Sequence, residues 1–108
     1  MKLGVVEYID CAHSLPGHKK CASLHGHTYK VELMIEGEHT AGMVMDFADL
    51  KAVLRETLGI YDHKSFNDFL DYPSVENVCQ MIKKKLGASI PFPFTLRVWE
   101  GEGKWAEL

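Results

Sequence analysis

The sequence predicts an α+β fold in which two helices cover one face of a four-stranded sheet, in the order strand, strand, helix, helix, strand, strand. Three observations carry this. Residues 25–37 alternate apolar and polar with a period of two, the mark of a half-buried strand. Two segments with an apolar stripe at helical spacing follow, each behind a capping residue. The last fifteen residues read as a short hairpin.

The elements follow in order. Residues 3–13 form the first strand, with Leu3, Val5, Glu7, Ile9, Cys11 and His13 on one face. Residues 14–24 are rich in turn formers and make a loop. In the second strand, residues 25–37, one face holds His25, His27, Tyr29, Val31, Leu33 and Ile35, and the other holds Gly26, Thr28, Lys30, Glu32, Met34 and Glu36. After a turn from Gly37 to Gly42, Asp46 caps a helix that runs to Leu58, with Phe47, Leu50, Leu54 and Leu58 as its stripe. Residues 59–73 are a loop. Ser74 caps a second helix that buries Val75, Val78, Cys79, Ile82 and Leu86, with Lys83, Lys84 and Lys85 at its negative pole and Gly87 at its C′ position. Residues 94–100 and 104–108 pair around Gly101-Glu102-Gly103.

At 108 residues the chain fits one domain, residues 1–108, and 46% hydrophobic with 25% charged residues is an ordinary globular composition. The net charge is −3 and no basic stripe is present, which argues against nucleic acid as a partner. No apolar run approaches a membrane span, and the opening residues predict no secretory leader. Three cysteines, Cys11, Cys21 and Cys79, read as free thiols in a reducing cytoplasm. Four strands leave two free edges, which invites pairing with other subunits.

The chemistry centres on His25-Gly26-His27. On a strand, residues i and i+2 point the same way, about 7 Å apart along the rise, so both imidazoles can converge on one ion. His13 ends the preceding strand and lies opposite them if the two strands pair through the intervening loop. Three imidazoles leave one zinc position open, the catalytic arrangement, although iron or nickel also accepts imidazole. His18 is a weaker ligand candidate and His39 reads as surface. Cys21, four residues before His25, admits three readings: a fourth ligand that closes the site, a thiolate activated beside the metal, or an inert buried thiol. Asp62-His63 pairs a carboxylate with an imidazole, the usual means of tuning a proton-transfer histidine, but such a pair also arises by chance. Glu100 reads locally as a strand-end charge.

The stretch from Ala12 to Tyr29, with its Cys21-x-x-x-His25-Gly26-His27 element, resembles the signature of the 6-pyruvoyl-tetrahydropterin synthase family. So do Gly42-Met43-Val44-Met45-Asp46-Phe47-Ala48-Asp49-Leu50-Lys51, Asp62-His63 followed by Asn67, Pro73-Ser74 leading to Glu76-Asn77, and Val98-Trp99-Glu100. The three-residue spacing between cysteine and His-Gly-His is similar to the bacterial and archaeal branch, which makes 6-carboxytetrahydropterin for 7-deazaguanine (queuosine-type) synthesis. The resemblance implies a tunnelling fold, an antiparallel four-stranded sheet backed by two helices, whose sheets close into a shared barrel as a homo-oligomer, a trimer or hexamer. It implies zinc on His13, His25 and His27, Cys21 as proton-abstracting base, and Asp62 with His63 as the relay for the opposite proton, supplied by a neighbouring subunit. It gives Glu100 the pterin ring. The implied reaction converts 7,8-dihydroneopterin triphosphate to 6-carboxytetrahydropterin with loss of acetaldehyde and triphosphate. The rivals are formation of the 6-pyruvoyl product and a non-catalytic zinc-stabilised binding module. Cys11 stands where relatives often carry a small residue, and Lys64-Ser65-Phe66 where they often have another histidine.

Overall fold

The computed structural model describes residues 1–108. Strands β1 (Lys2–His13) and β2 (His25–Glu36) are followed by helices α1 (Phe47–Leu58) and α2 (Val75–Leu86) and by strands β3 (Phe94–Glu100) and β4 (Trp105–Glu107). The sheet runs β1-β2-β3-β4 and every neighbouring pair is antiparallel. The elements predicted from periodicity are all present, with ends within two residues of those expected. A 3-10 turn, Phe66–Asp68, adds structure to the loop between the helices.

Side-chain alternation decides the layers. The inward face of the sheet carries Val5, Ile9 and Cys11 from β1, Tyr29, Val31, Leu33 and Ile35 from β2, and Leu96 and Val98 from β3. Both helices close over it with Leu50, Leu54 and Leu58 of α1 and Val78, Cys79, Ile82 and Leu86 of α2, forming one core. Glu7 shares the inward face of β1, where the apolar pattern leaves a charge. It is answered from α1, with Arg55 at 3.7 Å and Lys51 at 4.0 Å from its carboxylate oxygens.

The caps form as the sequence indicates. Asp46 accepts a 2.7 Å hydrogen bond from the Ala48 amide, and the Ser74 hydroxyl accepts one from Asn77 at 3.2 Å. Two details differ. Phe47 is 57% exposed rather than buried, because the first turn of α1 stands clear of the sheet and contact begins at Leu50. Gly87 ends α2 with a right-handed φ of −55°. Of the lysines before it, Lys83 reaches the sheet, donating to the carbonyls of Phe94 (2.6 Å) and Leu108 (3.0 Å). The β3–β4 hairpin turns through Gly101 (φ 62°) and Gly103 (φ 78°), conformations that carry no penalty only for glycine.

The edge of β1 is partly covered. The His63 amide donates to the Asp10 carbonyl (2.8 Å) and the Ala12 amide to the Lys64 carbonyl (3.0 Å), so residues 63–65 pair with the last turns of the strand. Asn67 fastens the corner beyond it, accepting from the Ser14 amide (2.8 Å) and donating to the Ser14 carbonyl (2.9 Å).

These layers set an order of mutational costs. Leu54→Ala should destabilise by about 2–5 kcal/mol through lost burial and a cavity, and Asp46→Ala by about 1 kcal/mol through the lost cap. Denaturant unfolding at one fixed protein concentration checks both, and an Asp46 variant costlier than the Leu54 variant would contradict the assignment of core and cap.

Candidate metal centre

The antiparallel register places His13 directly across from His25, and His27 lies two residues further along the same face. The ring centroids stand 4.6, 5.1 and 4.9 Å apart for the pairs 13–25, 13–27 and 25–27. One ligand atom from each ring lies within 4.8 Å of the others. His13 is fully buried, and His25 and His27 are half-buried.

The hydrogen bonds around the rings fix their protonation. Nδ1 of His13 lies 2.8 Å from the Pro73 carbonyl, and Nδ1 of His25 lies 2.7 Å from the Ser23 carbonyl. A carbonyl only accepts, so both Nδ1 atoms carry the ring proton and both Nε2 atoms are left with lone pairs. Those two Nε2 atoms face each other at 3.1 Å. Neutral rings so arranged repel unless a cation lies between them. His27 Nε2 is buried with no hydrogen-bond partner. Burial lowers the pKa of His27, and the other two histidines add to the effect against the opposing pull of Glu100. Tetrahedral coordination at about 2.0–2.1 Å puts donor nitrogens about 3.3 Å apart, close to the spacing of His13 and His25. The three imidazoles therefore suit a divalent metal, with the carbonyls of Pro73 and Ser23 orienting two of them.

Glu100 borders the cluster. It sits opposite Tyr29 at the end of β3, on the inward face. Its carboxylate is 15% exposed, with one oxygen 3.6 Å from His27 Nε2 and the other 3.9 Å from His13 Nε2. The strand-end charge suggested by its local sequence is thus turned into the site. Lys104 approaches the oxygen nearer His27 at 3.4 Å.

Cys21 is outside the cluster of metal-ligating atoms, which comprises the three histidines. It closes a tight loop: the Leu15 amide donates to the Cys21 carbonyl (2.7 Å), and the Cys21 amide donates to Nδ1 of His18 (3.0 Å). That arrangement occupies the His18 nitrogen in shaping the loop.

Asp62 and His63 form their pair, Nδ1 to Oδ1 at 3.0 Å. Partial burial works against ionisation of Asp62, yet the Asp10 amide (3.0 Å), His63 and Arg55 (2.7 Å) together hold its carboxyl below the usual range. His63 is exposed and has a φ of +62°. With Lys64 and Ser65 it lines an open concavity of about 580 Å³ whose wall also includes Asp10, Ala12, Gly26, Thr28 and His27 of the cluster.

Some participants carried no sequence signal. The carbonyls of Pro73 and Ser23 act through the backbone, and Arg55 belongs to no motif of the sequence. Tyr29 packs at 6.1 and 5.8 Å from the rings of His13 and His27, with its hydroxyl buried and unpartnered. Cys11 is buried, its thiol 3.1 Å from the Tyr61 carbonyl and its pKa pushed up to about 11, chiefly by burial. All three cysteines are unbridged.

Metal content tests the cluster. Purified protein should hold about one divalent ion per chain, and alanine at His13, His25 or His27 should strip it. Retention of metal by all three single variants, measured by elemental analysis, would sink the site.

Comparison with known proteins agrees with this geometry. The family model for 6-pyruvoyl tetrahydropterin synthase matches residues 2–108. A protein of Archaeoglobus fulgidus, provisionally named 6-carboxy-5,6,7,8-tetrahydropterin synthase, is 42% identical over 109 residues, covering 100% of this chain and 95% of its own. A Pyrococcus furiosus protein named dihydroneopterin monophosphate aldolase is 34% identical over 102 residues, covering 92% of this chain and 89% of its own. Among solved structures, 6-pyruvoyl tetrahydropterin synthase of Caenorhabditis elegans superposes with a TM-score of 0.88 at 21% identity, covering 100% of this chain and 94% of that one. That likeness shows the fold, the sheet backed by two helices that the sequence resemblance implied. On the match over residues 2–108 and the identity to full-length relatives, the chain belongs to the 6-pyruvoyl tetrahydropterin synthase family of enzymes.

Proposed function

We propose that this chain is a zinc-dependent carbon–carbon lyase that converts 7,8-dihydroneopterin triphosphate and water to 6-carboxy-5,6,7,8-tetrahydropterin, releasing acetaldehyde and triphosphate. The observation that carries the reading is the cluster of three imidazoles bordered by the Glu100 carboxylate. The Archaeoglobus fulgidus relative supports the choice of product.

His13, His25 and His27 would hold the zinc. Bound there, zinc supplies Lewis acidity toward the substrate's side-chain oxygens and so acidifies the adjacent C–H bonds. Glu100 would accept hydrogen bonds from the ring N–H and the 2-amino group and so anchor the pterin beside the three histidines. Cys21, outside the ligand cluster, removes a side-chain proton as thiolate. The Asp62–His63 pair handles the proton on the opposite side. As the family resemblance implies, the pair serves the site of a neighbouring subunit. The chain is then a homo-oligomer, trimer or hexamer, with sheets joined at the open edges of β1 and β4. A cytoplasmic location suits its free thiols, and no helix is long and apolar enough to cross a membrane. The product would feed 7-deazaguanine synthesis.

A second reading has support of its own. The Pyrococcus furiosus relative is named an aldolase for dihydroneopterin monophosphate, and it matches nearly the whole chain. Aldol cleavage of a dihydroneopterin phosphate would use the same metal and the same pterin anchor. A 6-pyruvoyl product is the third outcome, and a closed, non-catalytic zinc module the fourth.

Incubating zinc-loaded protein separately with dihydroneopterin triphosphate and monophosphate, with mass identification of products, distinguishes these. The reading expects 6-carboxytetrahydropterin and acetaldehyde from the triphosphate, and turnover of the monophosphate alone would transfer the assignment to the aldolase. Cys21→Ala should keep zinc and lose turnover by about a hundredfold or more, and mixing it with inactive His63→Ala should restore part of the activity. No recovery on mixing would contradict a site shared between chains. Glu100→Gln should keep zinc but weaken pterin binding by roughly tenfold or more, since an amide donor then meets a ring donor. Unchanged pterin affinity would leave Glu100 without its role.

A further inference from the structure

The chain that leaves α1 is fastened along the edge of β1 at successive backbone groups. Nη1 of Arg55 donates to the Tyr8 carbonyl (3.0 Å) and the Asp10 amide to Oδ1 of Asp62 (3.0 Å). The His63 amide then donates to the Asp10 carbonyl (2.8 Å) and the Ala12 amide to the Lys64 carbonyl (3.0 Å). Within this strap His63 is held at a φ of +62°, a conformation that a residue with a Cβ adopts only where its surroundings impose it. Asp62 and His63 have a part in the reaction proposed above. Arg55 has none.

Both oxygens of Asp62 are committed. Oδ1 takes the Asp10 amide and lies 3.0 Å from Nδ1 of His63. Oδ2 takes Nη2 of Arg55 at 2.7 Å. A carboxylate only accepts, so Nδ1 of His63 keeps its proton and Nε2 is the ring atom left to exchange one. His63 is exposed, and Asp62 is the polar partner that its ring has in the chain. The direction of the carboxylate therefore decides which nitrogen can react.

An exposed ion pair by itself contributes little, but this one is held from a second side. Nη1 of Arg55 is fixed by the Tyr8 carbonyl and stands 3.7 Å from Glu7, so the planar fork presents Nη2 in a set direction. Lys51, one turn earlier in α1, reaches Glu7 and does not duplicate the contact with Asp62. We propose that Arg55 is a positioning residue: by holding Oδ2 of Asp62 it keeps the carboxylate turned to His63 and the imidazole in its Nδ1–H form, with Nε2 presented for proton transfer. The inference rests on the reading of Asp62 and His63 as a proton relay.

The test uses zinc-loaded full-length protein, whichever dihydroneopterin phosphate it turns over, and nitrogen NMR of the neutral His63 ring, assigned by the signal missing from His63→Ala. Wild-type His63 should be in the Nδ1–H form. R55M should lower kcat by about tenfold, a part of what a positioned acid–base group contributes, with KM within about twofold of wild type. The same variant should populate the Nε2–H form and keep its zinc. R55K retains a cation without the fork and should fall between the two in kcat and in tautomer. E7Q removes the strand's ion pair with Arg55 but leaves Asp62 its partner, so it should match wild type in both. An R55M variant with wild-type kcat or wild-type tautomer, an E7Q variant as slow as R55M, or a wild-type ring in the Nε2–H form overturns the inference, and the relay stands as long as His63→Ala is inactive. A His63→Ala variant with wild-type turnover, or a wild type that turns over neither phosphate, overturns the relay and this inference with it.

Discussion

The cross-strand pair of His13 and His25 is the constraint on which the site depends. Their Nε2 atoms face each other at 3.1 Å while each Nδ1 is fastened to a carbonyl, Pro73 for one and Ser23 for the other. His13 cannot rotate away without leaving a buried donor unmade, which costs about 1–3 kcal/mol. Two lone pairs are thereby held together in a fixed direction, and His27 adds a third nitrogen with no partner. The protein is organised to present these nitrogens to a cation.

That presentation draws on distant parts of the chain. The register of β1 and β2 sets His13 against His25, and it cannot slip by one residue without turning Val5, Ile9 and Cys11 from the core to the open face. Pro73 lies sixty residues from His13 and reaches it because Ser74 starts α2 at that corner. Asn67 secures the turn after β1 from the loop between the helices. The core is thus more than a support: the packing of α2 decides where the Pro73 carbonyl, which orients His13, lies.

Much of this was legible in the sequence. The alternation through β2 put His25 and His27 on the buried face, and the parity of β1 put His13 beside them, because side-chain direction on a strand has a period of two. Helix ends were legible from Asp46 and Ser74. What could not be read acts through the backbone or through three-dimensional placement. The carbonyls of Pro73 and Ser23 have no residue signature. Glu100 looks like a solvent charge until β3 is laid against β2 and turns it toward the histidines. Phe47 fits the helical stripe, but where the sheet stops short of the helix is a tertiary fact. The part given to Cys21 came from family resemblance, and the structure adds only that it lies outside the ligand cluster.

The central claim is that three imidazoles and no thiolate hold a catalytic metal with a position left open. X-ray absorption spectroscopy of the zinc-loaded protein tests it most directly. The account predicts a first shell of nitrogen and oxygen only, at about 2.0–2.1 Å, with three imidazoles and one exchangeable light atom. A sulfur neighbour at about 2.3 Å would contradict it, because Cys21 would then close the site and the metal would be structural.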